Sequence, residues 1–313
     1  MAHHTKPRFV SRREFLSRTA LSVSGLALAG TSVSAAEKGS AGCPIAVFSK
    51  VCQELKLSFD EVAELTAEAG LDGVDCPVRD GGEISPEKAA DQLPQYANIL
   101  QQHKLRIWLL TTGILSPASP FAETILRTGR QLGINYYRLG FAEREPGSAK
   151  KRVHEVRARL KDLAALNREL GMCALLQNHS PSGQTKYFGG DLAELQAAVE
   201  SFDPAQIGVA FDIGHALVVH GESWKGHFES LRPHFKVAYV KDVKPGTGWV
   251  PFGEGEIEAT GYFQILRKMN YHEPVSLHVE FEWSDHGRRK TRAELARALK
   301  SSGHVVRRWL EAA

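Results

Sequence analysis

The stretch Leu170-Gly171-Met172-Cys173-Ala174-Leu175-Leu176-Gln177-Asn178-His179 decides the fold. Its apolar centre, 172–177, is short and bounded by a glycine before it and a polar tip after it. It therefore reads as a buried strand and not as a helix. Residues 148–170 before it and 191–200 after it carry helical apolar spacing, and the next apolar run, 207–211, is again strand-like. Helices alternating with buried strands imply parallel pairing and right-handed crossovers.

Outward from this unit the same repeat fills the chain. Strands are predicted at 45–49, 73–76, 106–111, 136–139, 172–177, 207–211, 237–243 and 275–280. Helices are predicted at 59–69, 86–102, 121–132, 148–170, 191–200, 258–269 and 291–310, several with a capping residue or an early proline. Gly70, Gly133 and Gly171 stand where a helix hands over to a strand, as a C-cap requires. Eight such units close into a barrel more naturally than they spread into an open sheet. No G-x-G-x-x-G follows the first strand to favour a dinucleotide fold. The expected fold is α/β, a single (β/α)8 TIM barrel domain over residues 37–313.

Residues 1–36 read differently. Ser11-Arg12-Arg13-Glu14-Phe15-Leu16 precedes a weakly apolar run from Ala20 to Ala29 and the small residues Val33-Ser34-Ala35-Ala36. This is the layout of a removable export signal, and the paired arginines mark the twin-arginine route. The run is too short and too rich in Ser and Gly to span ~30 Å of hydrocarbon. The expectation is an exported protein, periplasmic or extracytoplasmic, with no stable membrane span once cut near Ala35 or Ala36.

Composition is that of an ordinary globular protein, 42% apolar and 24% charged, and the net charge of +3 implies no nucleic-acid partner. Cys43, Cys52, Cys76 and Cys173 form no C-x-x-C pair, so buried thiols are expected, with a Cys43–Cys52 bridge open in an oxidising compartment.

Chemistry in such a barrel sits at the carboxyl ends of the strands. The last four strands are rich in polar residues there: Gln177-Asn178-His179 on the fifth, Asp212-Ile213-Gly214-His215 on the sixth, Lys241-Asp242 on the seventh, and His278-Val279-Glu280 on the eighth. Asp212 and His215 read as site residues in preference to a helix cap. His179 reads as a substrate contact or a loop-packing residue. Lys241 reads equally as a partner for a bound anion or as one half of an ion pair with Asp242. Arg138 and Arg79 are positioned to reach substrate oxygens or to form barrel-edge salt bridges. Trp249 and Trp283 fall on loops where an aromatic face can stack on a sugar.

With Gly70-Leu71-Asp72-Gly73-Val74-Asp75, Tyr136-Tyr137-Arg138 and Pro251-Phe252-Gly253-Glu254-Gly255-Glu256, these residues carry a resemblance. The chain resembles the xylose isomerase-like TIM barrels, the sugar phosphate isomerase/epimerase superfamily that also contains the AP endonucleases. The resemblance implies one divalent metal ion (Mn, Mg, Zn or Co), a small-molecule carbohydrate as partner, and metal-assisted proton abstraction next to a carbonyl. Carried onto this chain, it places metal ligands at Gln177, Asp212, His278 and Glu280. With the strand-end reading above, the expected catalytic groups are Glu280, His179, His215 and Lys241, and the expected substrate contacts are Arg138, Asn178, Asp242 and Trp249.

Two positions depart from the pattern. Gln177 stands where the resemblance expects Glu, and an amide takes no proton at neutral pH. Tyr239 stands where it expects His. The expected function is a sugar isomerase/epimerase-like enzyme; the alternatives are a keto-sugar lyase or hydratase and a noncatalytic sugar-binding protein with a degenerate metal site. The early strands contain no histidine, against the multi-zinc phosphodiesterase branch. Export disfavours a phosphorylated substrate. A homo-oligomer is compatible with the fold but not specified by the sequence.

Overall fold

The computed structural model describes residues 42–180, 187–281 and 291–312. Eight parallel strands close into one barrel: β1 (Ile45–Phe48), β2 (Gly73–Val78), β3 (Arg106–Thr112), β4 (Tyr136–Arg138), β5 (Cys173–Gln177), β6 (Ile207–Asp212), β7 (Phe235–Val240) and β8 (Val275–Leu277). Each pairs with its sequence neighbours, and β8 closes the ring on β1 through Ile45 opposite Val275 and Val47 opposite Leu277. A two-stranded antiparallel hairpin, Val243–Lys244 with Gly248–Trp249, stands beyond β7. The (β/α)8 barrel expected from the strand–helix alternation is the fold observed. Residues 1–36, with the signal reading, and Trp283 lie outside the described residues.

The helices follow local chemistry. Ser58 and Glu61 cap Phe59–Glu68 reciprocally, and Thr291 and Glu294 do the same for Arg292–Glu311. Asp191 accepts two backbone amides at the start of Leu192–Val199. Gly171 ends Ala149–Leu170 at φ 65°, the left-handed turn that sends the chain into β5. Between β6 and β7, where no helix was named from the sequence, the chain forms Ile213–His220 and Trp224–Leu231. The first is buried from Ile213 to Leu217, so it lacks the polar face that would have announced it.

Alternation along the strands sorts side chains into two cores. The larger lies between strands and helices; the smaller fills the barrel with Leu109, Cys173, Leu175, Ala210, Val237 and Tyr239. Ala174 and Leu176 belong to the outer core and Leu175 to the inner, so Gln177 faces inward two residues on. By the same period, Asp212 follows Ala210 and Lys241 follows Tyr239. On β8 and its extension Val275, Leu277 and Val279 face outward, which turns Ser276, His278 and Glu280 to the inside. All four cysteines are buried free thiols, so the Cys43–Cys52 bridge does not form; Cys43 instead donates to the Tyr271 carbonyl at 2.8 Å.

Candidate active site

Asp212, the last residue of β6, is fully buried and caps the helix that follows, its Oδ1 accepting the His215 amide at 3.1 Å. Its other oxygen is left for the barrel mouth. Asn178 locks the neighbouring backbone: Nδ2 donates to the Asp212 carbonyl at 2.8 Å and Oδ1 accepts the Asp212 amide at 2.7 Å. Asn178, expected to touch substrate, thus has its amide committed to tying the ends of β5 and β6 together. Gln177 donates from Nε2 to Asp212 Oδ2 at 3.1 Å, presenting its nitrogen and not its carbonyl oxygen to that carboxylate.

Lys241 enters the same space from beyond β7 and is 2% exposed. Its Nζ donates to Glu280 Oε2 at 2.9 Å and to His215 Nε2 at 3.0 Å, and lies 3.4 Å from Asp212 Oδ2. Of the two sequence readings of Lys241, the ion pair with Asp242 is not formed. Asp242 turns away and organises the loop after the hairpin, accepting the amides of Val243 at 2.9 Å, Gly253 at 2.8 Å, Gly255 at 3.0 Å and Ile257 at 3.3 Å. A carboxylate so engaged has little left for substrate, contrary to the expected binding role.

Electrostatics follow from this packing. Burial works to discharge Lys241, but the Asp212 and Glu280 carboxylates outweigh it and keep the ammonium charged. Burial lifts the Asp212 carboxyl to about 6 against the pull of Lys241. Burial acts upward on Glu280 as well, yet the Lys241 ammonium, with Lys50 4.0 Å from the other oxygen, holds it down to about 2. Burial and the same ammonium push His179 down to about 4, and drive His215 and His278 well below the usual imidazole range.

At neutral pH the site therefore holds one ammonium, two carboxylates and three uncharged imidazoles. Because the Lys241 ammonium donates to His215 Nε2, the His215 proton sits on Nδ1 and is donated to Ser180 Oγ at 2.7 Å. His179 lies against His215 with ring centroids 3.8 Å apart and directs Nδ1 to the Ser180 carbonyl at 2.7 Å, which leaves Nε2 as an acceptor.

These neutral imidazoles work against the fold at acid pH. A histidine whose folded pKa is depressed contributes stability fully above its ordinary 6.5 and loses it as pH falls through the folded value, about 4 for His179. Asp212, raised to about 6, Glu83, raised to about 7, and Asp75, also raised by burial, act in the opposite direction as pH falls. The imidazole contribution is isolated by His179→Phe, which removes one depressed ring: its urea midpoint is expected to fall less, or rise more, between pH 7 and pH 5 than that of the wild type. An identical change in both chains would contradict the neutral state of that ring.

The remaining expected residues border this cluster. His278 is 3% exposed, stacked against Phe48 at 4.6 Å between centroids, with Tyr239 on another side at 4.5 Å. Neither of its ring nitrogens has a hydrogen-bond partner among the described residues. Trp249 stands edge-on to His215 at 5.0 Å and faces the Lys241 ammonium at 4.9 Å. Arg138 is 2% exposed, its guanidinium over Phe141 at 4.4 Å and Nη1 donating to the Leu139 carbonyl at 2.7 Å. Burial lowers it to about 10, still charged at neutral pH.

One layer lies beneath the mouth. Asp75 accepts from Thr111 and Ser276, both at 2.7 Å, and Thr111 meets the Tyr239 hydroxyl at 3.4 Å. Tyr239 is fully buried and burial holds its phenol protonated, so it belongs to this floor and offers no ligand anion. Sequence reasoning missed the floor and Ser180. The alternation that exposed Gln177 and Asp212 also turns Asp75 and Ser276 inward, and was the available signal.

The residues do not fit the expected metal. Among the described residues no group of three or more His, Cys, Asp or Glu side chains is arranged to hold an ion. Asp212, His215 and Glu280 do converge, but on Lys241 Nζ. A hard ion needs oxygen ligands at about 2–2.6 Å, and here a like-charged ammonium stands 2.9–3.4 Å from those three side chains. Gln177 turns a nitrogen to Asp212, and His278 Nδ1, without a hydrogen-bond partner among the described residues, stands 4.0 Å from Glu280 Oε1.

Comparison with known proteins matches residues 63–302 to the family described as xylose isomerase-like TIM barrel. No curated protein matches the sequence. Among solved structures, a D-psicose 3-epimerase crystallised in the presence of D-fructose superposes with TM-score 0.61 at 14% identity, covering 86% of this chain and 99% of that one. The 3-keto-D-glucoside 4-epimerase YcjR from E. coli gives 0.60 at 16% identity, covering 85% and 99%. An IolI protein with a bound zinc atom gives 0.63 at 14%, covering 85% and 98%. At such identities the likeness is one of fold.

Proposed function

This chain belongs to the xylose isomerase-like TIM barrel family, and from that premise we propose that it is a carbohydrate isomerase that moves a proton next to a carbonyl group. The observation that carries the reading is the convergence of Asp212, His215 and Glu280 on one buried ammonium at the strand ends. An ammonium held there stabilises the negative oxygen that appears when a neighbouring C–H is broken. Sugar epimerases on the same fold, at low identity, support the substrate class.

In this reading the substrate carbonyl oxygen lies against Lys241 Nζ. Glu280 takes the proton from the adjacent carbon, the C–H pair forms the enediolate double bond, and the carbonyl π pair moves onto the oxygen beside Lys241. His179 Nε2 relays the hydroxyl proton between the two oxygens, and Glu280 returns its proton to the former carbonyl carbon. Gln177 cannot serve as a second base, so the reading is one-base isomerisation and not two-base epimerisation. Arg138, charged and with no carboxylate within 4.0 Å among the described residues, suits an oxygen-rich substrate. The twin-arginine signal read in residues 1–36 places the chain outside the cytoplasm in this proposal, where free sugars and their oxidised derivatives are the available substrates.

The test is solvent exchange. The purified chain in D2O, given a panel of unphosphorylated ketoses, keto-sugars and sugar acids, is expected to exchange the hydrogen next to a carbonyl of one member, followed by proton NMR. Product analysis then separates isomerisation from elimination through the same enolate. Sugar binding without exchange across the panel would leave a sugar-binding protein and end the enzyme reading.

A further inference from the structure

We infer that the Lys241 ammonium is the resident cation of this barrel, occupying the place between Asp212 and Glu280 so that the chain takes no divalent ion there. The inference goes beyond the reaction class and stands or falls separately from it. Its first support is geometric: an ammonium has three N–H bonds, and the structure supplies three acceptor atoms, Glu280 Oε2, His215 Nε2 and Asp212 Oδ2. The ammonium donates to Glu280 and His215 and pairs with Asp212 across 3.4 Å, so the groups that would otherwise face an ion face it instead.

The second support is that the surroundings are shaped for the lysine. Gly214, between Asp212 and His215, has no room for a side chain: a Cβ there would stand 2.6 Å from Lys241 Cγ and 2.9 Å from the Lys241 carbonyl oxygen. Any larger residue would displace the lysine stem. Trp249 covers the other side, 4.9 Å from the ammonium and 3.1 Å from that same Cβ position. Lys241 is thus packed between Gly214 and Trp249.

Charge provides the third support. One buried positive charge, Lys241, is set between two carboxylates, with the half-exposed Lys50 4.0 Å from the other Glu280 oxygen, and Gln177, an amide that itself donates to Asp212, adds no third carboxylate. A carboxylate at position 177 would face Asp212 at hydrogen-bond distance with one buried monovalent cation between them, an arrangement that suits a divalent ion better than a lysine.

The experiment measures metal and not turnover. Purified wild-type chain, equilibrated with Mn2+ or Zn2+ and then dialysed, is expected to retain less than a tenth of an ion per chain that depends on Asp212, as judged against Asp212→Asn. The Lys241→Ala chain, with the space opened, is expected to bind close to one Mn2+ per chain and to show a higher unfolding temperature with Mn2+ than without.

A wild-type chain holding one ion that Asp212→Asn loses would overturn the inference. So would a folded Lys241→Ala chain, checked by circular dichroism, that gains no ion. Should that variant not fold, the wild-type measurement alone decides. Failure of the isomerase reading would appear in the exchange assay and leave these metal measurements unchanged.

Discussion

Lys241→Met is expected to lower the stability of the folded chain by roughly 3–5 kcal/mol, the range for removing one partner of a buried ion pair. Methionine fills similar volume, so the loss is electrostatic: Asp212, fully buried, keeps its negative charge without its ammonium, and Glu280, with a side chain 22% exposed, is left with Lys50 at 4.0 Å. The deficit should shrink on acidification. The Asp212 carboxyl already stands at about 6, and without the ammonium both carboxyls rise and are neutralised at mildly acid pH. Urea unfolding of wild type and variant at pH 7.5 and pH 5 measures this. A difference below 1 kcal/mol at pH 7.5 would show that the ammonium compensates neither carboxylate.

Glu280→Gln is expected to reduce solvent exchange into the substrate by 10²–10⁴-fold, the usual contribution of a positioned general base. The amide retains the shape and can still accept a hydrogen bond from Lys241, so folding and substrate affinity should change little while the rate falls. Glu280 is the one carboxylate of the pair that reaches solvent, since Asp212 is closed in by Gln177, the His215 amide and Lys241. The measurement is exchange rate against substrate concentration. An effect confined to KM, or a rate within tenfold of wild type, would move the base to His179, whose Nε2 is an acceptor near the mouth.

Much of the fold was legible because it rests on local signals. Each of the eight strands lies where an apolar run is bounded by turn residues, and the caps at Ser58, Ser148, Asp191 and Thr291 are visible as residues. Ile213–His220 and Trp224–Leu231 were the exceptions; in the first, burial removes the polar face that periodicity detects. The membership of the site was also largely legible, because alternation turns Gln177, Asp212, Lys241, His278 and Glu280 inward at the strand ends.

The roles were less legible. Asp242 looks like a site residue next to Lys241, yet one step along the chain reverses its direction and sends it to four loop amides. Asn178 likewise spends its amide on the Asp212 backbone. His278 was expected as a metal ligand and is instead packed against Phe48 and Tyr239 with both nitrogens unpartnered among the described residues.

The amino-acid sequence by itself determined that this chain forms a (β/α)8 barrel and which of its polar side chains gather at the mouth, because strand period and helix–strand order are properties of neighbouring residues. Only the tertiary structure decided that Lys241 fills the space between Asp212 and Glu280. Those residues lie 29 and 39 positions away along the chain, and barrel closure sets the distance across the mouth whatever that separation. Which cation the two carboxylates share depends on the room left by Gly214 and Trp249, and that room exists only once the strands have closed.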